Sequence, residues 1–143
     1  MGAQQVPVAE GLFTWPSANP QLIGSRCNNC GAVAFPAQKS CAACCSVDVE
    51  EMLLSRTGKL WTWTIQGFLP KSPPYSGPET IETFKPFGVG YVELPEEVKV
   101  EARFKMDNPE ALEIGMEMEL VIDKFKEDED GNDVMAFFFR PVN

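Results

Sequence analysis

The 143-residue chain contains no histidine. Imidazole is the side chain whose ordinary pKa best suits proton transfer near neutrality. Its absence removes the Ser/His/Asp and Cys/His triads and argues against autonomous acid–base catalysis. Cations are also scarce: 12 Lys and Arg face 21 Asp and Glu, a net charge of −9 that a polyanion would meet as repulsion. Nucleic acid is therefore disfavoured as a partner. The sequence has no apolar run near the roughly 20 residues of a membrane-spanning helix and no charged-then-apolar leader. The opening MGAQQV carries Val6 where a myristoylation signal needs Ser or Thr. Membrane insertion and export lack support, and a reducing cytoplasm is the expected location.

Cysteine is missing from every part of the chain except one. All five fall in RCNNCGAVAFPAQKSCAACC, from Arg26 to Cys45. Cys27, Cys30, Cys41 and Cys44 form a CxxC, ten-residue gap, CxxC frame. That spacing lets two tight knuckle turns present four thiolates tetrahedrally to one metal ion, which suits a structural Zn²⁺ site. Gly31 follows Cys30 where a knuckle needs a residue of positive φ, and Cys45 holds the equivalent place after Cys44. A disulfide pair would need an oxidising compartment, and a thioredoxin-like CxxC would need a βαβ context. Spacing alone leaves iron open, as in a rubredoxin-like electron carrier. A closed four-thiolate site has no open coordination position, so its expected task is folding and not catalysis. Cys45 remains: a possible alternative ligand, a reactive thiol, or a small residue standing where glycine is usual.

The chain divides into an expected N-terminal docking arm (1–25), a zinc ribbon (26–50) and a barrel domain (51–143). In the arm, Pro7, Pro16, Pro20, Gly2 and Gly11 interrupt any helical period, while Leu12, Phe13, Trp15, Leu22 and Ile23 supply apolar anchors. From Ser55 the pattern is mostly period two. Trp61, Trp63 and Ile65 alternate with Thr62 and Thr64, and both tryptophans are expected in the barrel core. Val98, Val100, Ala102 and Phe104 alternate with charged residues, as do Met116, Met118, Leu120 and Ile122. FGVGYVEL and VMAFFFR complete five strands. Pro95 to Glu97 reads as a tight turn and Asp130-Gly131 as a hairpin turn. DNPEAL reads as a short helical turn capped by Asp107 or Asn108, with Pro109 at its first position and Gly115 ending it. Five strands with a helical turn between the third and fourth predict a small Greek-key barrel of the OB-fold type, with an SH3-like barrel as competitor. A proline-rich loop, residues 67–88, separates the first two strands and is long enough to expect a functional role.

These pieces together resemble a known family. LIGSRCNNCG, FPAQKSC, GKLWTWTI, KPFGVGYVEL and LEIGMEMEL, in this order and over about residues 20–142, are similar to the acyl-CoA-associated OB-fold family called domain of unknown function 35 (DUF35). Ala42 departs from the proline common after the third cysteine, and Cys45 from the common glycine. The resemblance implies a mainly β protein: an N-terminal arm and rubredoxin-like zinc ribbon followed by a five-stranded OB-fold barrel. It further implies a non-catalytic partner subunit of a thiolase-superfamily enzyme acting on an acyl-CoA. Members of the family serve benzoylsuccinyl-CoA thiolase, steroid side-chain aldolases and an archaeal acetoacetyl-CoA thiolase assembly, and others partner acyl-CoA hydratases. The catalytic Cys and His would then belong to the thiolase-like subunit, in keeping with a chain that has no histidine.

On that implication the chain helps form a site for a coenzyme A thioester. Coenzyme A carries phosphates, so a chain of net −9 would need local cations. Candidates are Arg56, Lys59, Lys71, Lys85 and Arg103. Phe68, Tyr75, Phe84 and Phe87 in or beside the long loop are candidates for an apolar channel or an interface. The competing classes are a single-stranded nucleic-acid-binding OB module, an iron electron carrier, and an enzyme using Cys45 as nucleophile.

Overall fold

The structure is a computed structural model that describes residues 4–71, 77–96 and 98–142. The chain runs through β1 (Gln5–Pro7), β2 (Ile23–Cys27), β3 (Val33–Ala34), β4 (Val49–Leu53), β5 (Thr57–Gln66), β6 (Phe87–Glu93), β7 (Lys99–Arg103), β8 (Glu117–Glu127) and β9 (Asp133–Pro141). A single 3-10 turn at Pro109–Ala111 lies between β7 and β8. None of the described helical segments is long and apolar enough to cross a membrane.

Period-two alternation builds the barrel. Val98, Val100, Ala102 and Phe104 are buried along β7 and its flanks, and Met118 and Leu120 along β8. β5 pairs antiparallel with β6 and β8, β6 with β7, and β8 with β9. A parallel bridge from Phe104 to Phe139 then brings the end of β7 onto β9 and closes the ring. The Lys105 amide donates to the Phe139 carbonyl at 2.9 Å beside it. Closure removes the open edges of a five-stranded sheet, and this strand order is that of an OB-fold.

The connections carry the expected turn chemistry. Asn108 caps the 3-10 turn by accepting from the Glu110 amide at 3.2 Å, with Pro109 at its first position. That turn ends at Leu112, and Gly115, at φ +92°, follows it and donates to the Leu60 carbonyl. In the β8–β9 hairpin the Asp128 carboxylate accepts from the amides of Asn132 (2.8 Å) and Asp130 (3.0 Å), and Gly131 sits at φ +80°. The Asn132 amide, with the further hydrogen bonds of the turn, holds the Asp128 carboxyl below its ordinary range. Between β6 and β7 the Leu94 amide donates to the Val98 carbonyl across the Pro95–Glu96 turn; Glu97 lies outside the described residues.

One strand departs from simple alternation. A bulge between Leu60 and Thr62 shifts the β5–β6 register, so Leu60 and Trp63 face inward while Trp61 turns out to 49% exposure. Trp61 is therefore not a core residue. Only Trp63 of the expected pair packs against the core.

The N-terminal arm lies on this chain's own barrel. β1 pairs parallel with β9, and the Val8 amide donates to the Met135 carbonyl at 2.7 Å. Phe13 and Leu22 form an isolated antiparallel bridge and are buried in one core with Leu54, Leu60 and Phe139. Arg56 fastens the junction, its Nε donating to the Pro20 carbonyl (3.0 Å) and an Nη to the Leu120 carbonyl (3.3 Å). Truncating Phe13 removes a ring that is only 5% exposed. Phe13→Ala is expected to destabilise the whole chain by about 3 kcal/mol, read from the midpoint of a single denaturant transition. A loss below about 0.5 kcal/mol would mean the arm is not part of the core.

Candidate metal centre and partner-facing residues

The ribbon is a three-stranded sheet in the order β3-β2-β4. Cys27 closes β2 and opens the first knuckle, which returns the chain to β3. The second knuckle, Cys41 to Cys44, precedes β4. The two knuckles are built alike. The Cys27 amide donates to the Ala32 carbonyl (2.9 Å) and the Gly31 amide to the Cys27 carbonyl (2.9 Å). In the second, the Cys41 amide donates to the Ser46 carbonyl (2.8 Å) and the Cys45 amide to the Cys41 carbonyl (2.8 Å). Gly31 stands at φ +81° and Cys45 at φ +64°, the one described non-glycine residue with positive φ. Cys45 thus performs the backbone task of Gly31.

The sulfurs of Cys27, Cys30, Cys41 and Cys44 all lie within 4.8 Å of one another, and Cys45 is not among them. Closest approaches are 3.5 Å (Cys30 to Cys41) and 3.6 Å (Cys27 to Cys44), far beyond a covalent S–S bond of about 2.0 Å. Four sulfurs at about 2.3 Å from a central tetrahedral ion would stand about 3.8 Å apart. The tetrad fits such an ion. Cys27 and Cys41 are buried, while Cys30 and Cys44 are open to solvent. The first knuckle also serves the second, since Asn29 Nδ2 donates to Cys44 Sγ at 3.4 Å.

Neighbouring donors and sulfurs act on the two exposed thiols of the tetrad. The Asn29 amide, followed by the Ser46 backbone amide, draws Cys44 down to about 6. At Cys30 the Ala32 amide is the largest influence and lowers the pKa. The sulfurs of Cys41, Cys44 and Cys27, with burial, outweigh it and push Cys30 up to about 12. The two exposed thiols of the tetrad are thus pushed in opposite directions. A divalent cation held by Cys27, Cys30, Cys41 and Cys44 would favour the thiolate form of each ligand.

Similarity to known proteins agrees with this geometry. Residues 18–50 match the rubredoxin-like zinc ribbon domain of ChsH2, and residues 51–123 match the ChsH2 C-terminal OB-fold domain. A DUF35 domain-containing scaffold protein of Pyrococcus furiosus is 39% identical over 123 residues, spanning 85% of this chain and 84% of the relative. The chain belongs to the DUF35 family. Benzoylsuccinyl-CoA thiolase subunit BbsA of Thauera aromatica is 29% identical over 123 residues, 86% of this chain and 78% of that one. Among solved structures, one described as Ltp2-ChsH2(DUF35) aldolase shares the fold. Its TM-score is 0.61 at 24% identity, over 85% of this chain and 84% of that one. The ribbon match reaches back to residue 18, into the segment expected as the arm. In a DUF35 zinc ribbon the ion suited to this tetrad is Zn²⁺.

The remaining candidates are scattered. Arg56 is the junction tether described above. Lys59 pairs with Glu117 at 3.6 Å on the surface. Arg103 pairs with Glu79 at 3.4 Å and lies over the Phe87 ring at 3.7 Å. Lys71 and Lys85 are exposed and make no ion pair among the described residues. Phe68 is 73% exposed, whereas Phe84 is half-buried edge-on against Phe87. Tyr75 lies outside the described residues. Sequence reasoning missed Asn29, whose only signal was an amide inside the first CxxC. It also missed the ribbon–barrel clamp, where Phe35 packs edge-on to Phe137 with ring centroids 5.4 Å apart.

Cys45→Gly is expected to leave the zinc content unchanged and to stabilise the chain by about 1 kcal/mol, because a left-handed residue no longer carries a side chain. Cys41→Ser is expected to abolish zinc retention during dialysis against a weak chelator. Elemental analysis and thermal unfolding of both variants check this; loss of zinc in Cys45→Gly would make Cys45 a ligand.

Proposed function

We propose that this DUF35 protein is a non-catalytic zinc-binding subunit of a cytoplasmic thiolase-superfamily enzyme, one that forms or cleaves C–C bonds in an acyl-CoA. The observation that carries the reading is similarity over most of the chain to a subunit named for benzoylsuccinyl-CoA thiolase. The chemistry of the chain supports it. Among the described residues its cysteine cluster is a closed tetrad, and the sequence has no histidine to move a proton. Activation of an acyl thioester then falls to the partner, while this chain shapes the entrance.

For the coenzyme A phosphates, the cations best placed are Lys71 and Lys85 near the two ends of the long loop. Arg56, Lys59 and Arg103 are engaged within the chain. Phe68, at the loop's start and three residues before Lys71 in sequence, is exposed and suits the pantetheine arm or the partner surface.

Affinity purification of the tagged chain from its own host tests the assignment. A thiolase-like polypeptide is expected in fixed ratio, with acyl-CoA turnover by the complex and none by the isolated chain. Turnover by the isolated, zinc-loaded chain would overturn the reading. Within the complex, Lys71→Ala with Lys85→Ala is expected to raise the KM for the CoA thioester about five- to tenfold, more at low salt. Lys59→Ala should change it by less than about twofold.

A further inference from the structure

The outer face of β5, β6 and β7 is ordered in cross-strand rows. Lys59, Glu93 and Lys99 form one, Thr62, Tyr91 and Glu101 the next, and Thr64, Val89 and Arg103 the third. Trp61 joins this face only through the bulge between Leu60 and Thr62. A bulge leaves a residue outside the ladder, and proteins keep bulges where a side chain has to be re-aimed. Here the result is an indole half in water beside Tyr91, itself 37% exposed. Leaving that much apolar surface uncovered forgoes stability the core would have supplied.

Both rings are held in place. Their centroids are 6.1 Å apart at 87°, Lys99 Nζ lies 4.6 Å from the Trp61 ring, and the Tyr91 hydroxyl donates to Glu101 at 3.0 Å. Rings already fixed lose little rotamer freedom when they are covered. Beside Tyr91 lies a shallow depression of about 280 Å³, lined by residues 62–64 of β5, residues 89–91 of β6, and Glu101 of β7. Gly90 is obligatory in β6, because a Cβ would run into the β5 backbone at the Thr62 carbonyl oxygen.

Charge decides what this face can receive. Lys59 faces Glu117 at 3.6 Å, Lys99 faces Glu93 at 3.8 Å, Arg103 faces Glu79 at 3.4 Å, and Glu101 takes the tyrosine hydroxyl. On a chain of net −9 the patch is nearly balanced within itself. A polyanion meets paired cations and carboxylates. An apolar protein surface meets two rigid aromatics and a rim whose three cations are each paired, so that Glu101, which takes the tyrosine hydroxyl, is the one charge that must keep access to water or meet a cation of the partner. Aromatic anchors at the centre with paired charges around them form the arrangement of an interface hot spot.

We propose that this face is where the barrel docks on its catalytic subunit, with Trp61 and Tyr91 entering an apolar pocket of the thiolase-like partner. The inference rests on the accessory-subunit reading and locates its contact. The test titrates the thiolase-like subunit recovered with the wild-type chain against zinc-loaded variants, by calorimetry. Trp61→Ala and Tyr91→Ala are each expected to weaken the complex by at least about thirtyfold. Both should keep the wild-type zinc content and thermal midpoint, which separates lost docking from lost folding. Val47→Ala, at an 82% exposed site on the ribbon, should change affinity by less than about twofold. Near-wild-type affinity of Trp61→Ala sinks this inference and leaves the accessory-subunit reading standing. Failure of the wild-type chain to bring down any thiolase-like subunit sinks both. If sedimentation shows Trp61→Ala splitting a homodimer while partner affinity holds, the face belongs to a second copy and the proposal is overturned.

Discussion

Four thiolates cannot occupy one small volume without a cation among them, and the architecture of the ribbon follows from that constraint. Its sheet is small: β3 spans Val33–Ala34 and meets β2 in a two-residue register. The apolar side chains Val33, Phe35 and Met52 do not make a core of their own but pack against the barrel's. The far end of the ribbon is thus organised by sulfur around an ion, and the near end by burial. Leu22 and Leu54, both fully buried, sit where β2 begins and β4 ends, so the arm, ribbon and barrel converge on one core. Removing the ion would release the charge repulsion of the tetrad into a sheet with few hydrogen bonds to resist it. The chain leaving that sheet is the chain that enters β5.

The same division explains what the protein contributes chemically. A closed thiolate site neither polarises a carbonyl nor activates water. Most cations of the barrel are spent on neighbouring carboxylates, as with Lys105 and Asp123 or Arg140 and Glu119. Exposed pairs of this kind add little stability, but they quiet the surface of an acidic chain. On the accessory-subunit reading proposed above, what the chain supplies is shape: a barrel face and a ribbon with a metal site. That inventory suits a subunit that positions another protein's chemistry.

Much of this was legible from the residues. Period-two alternation in VKVEARF and MEMELVID placed β7 and β8, because each is buried on one face only. Asn108-Pro109 and Asp130-Gly131 named their turns through side-chain acceptors and permitted φ. The paired CxxC spacing named the four cysteines whose sulfurs cluster, since two knuckles leave little freedom for where sulfur can point. Other features were not legible. The partner strand of β1 depends on backbone pairing between segments more than a hundred residues apart, with no local pattern to announce it. The clamp of Phe35 on Phe137 likewise depends on how two finished units pack. The bulge at Trp61 was hidden because KLWTWTI alternates correctly; one extra residue in the ladder moved the first tryptophan to the opposite face.

Two residues therefore break a local rule, and they call for opposite conclusions. Cys45 holds a left-handed backbone that an L side chain adopts at a cost of about 1–2 kcal/mol. The knuckle accounts for that cost, because its amide must reach the Cys41 carbonyl as Gly31 reaches Cys27. Nothing beyond the turn is required to explain the conformation, and a side chain there is tolerated. Trp61 is different. The fold would gain by burying its indole, and the neighbouring Trp63 shows that the barrel can accommodate one against its core. None of the side-chain hydrogen bonds among the described residues involves the Trp61 indole. The rings and charges that fix its orientation, Tyr91 and Lys99, lie on the exposed face with it. A violation the fold explains is structural; one it leaves unexplained, braced by its own neighbours, points outward to a surface that covers it.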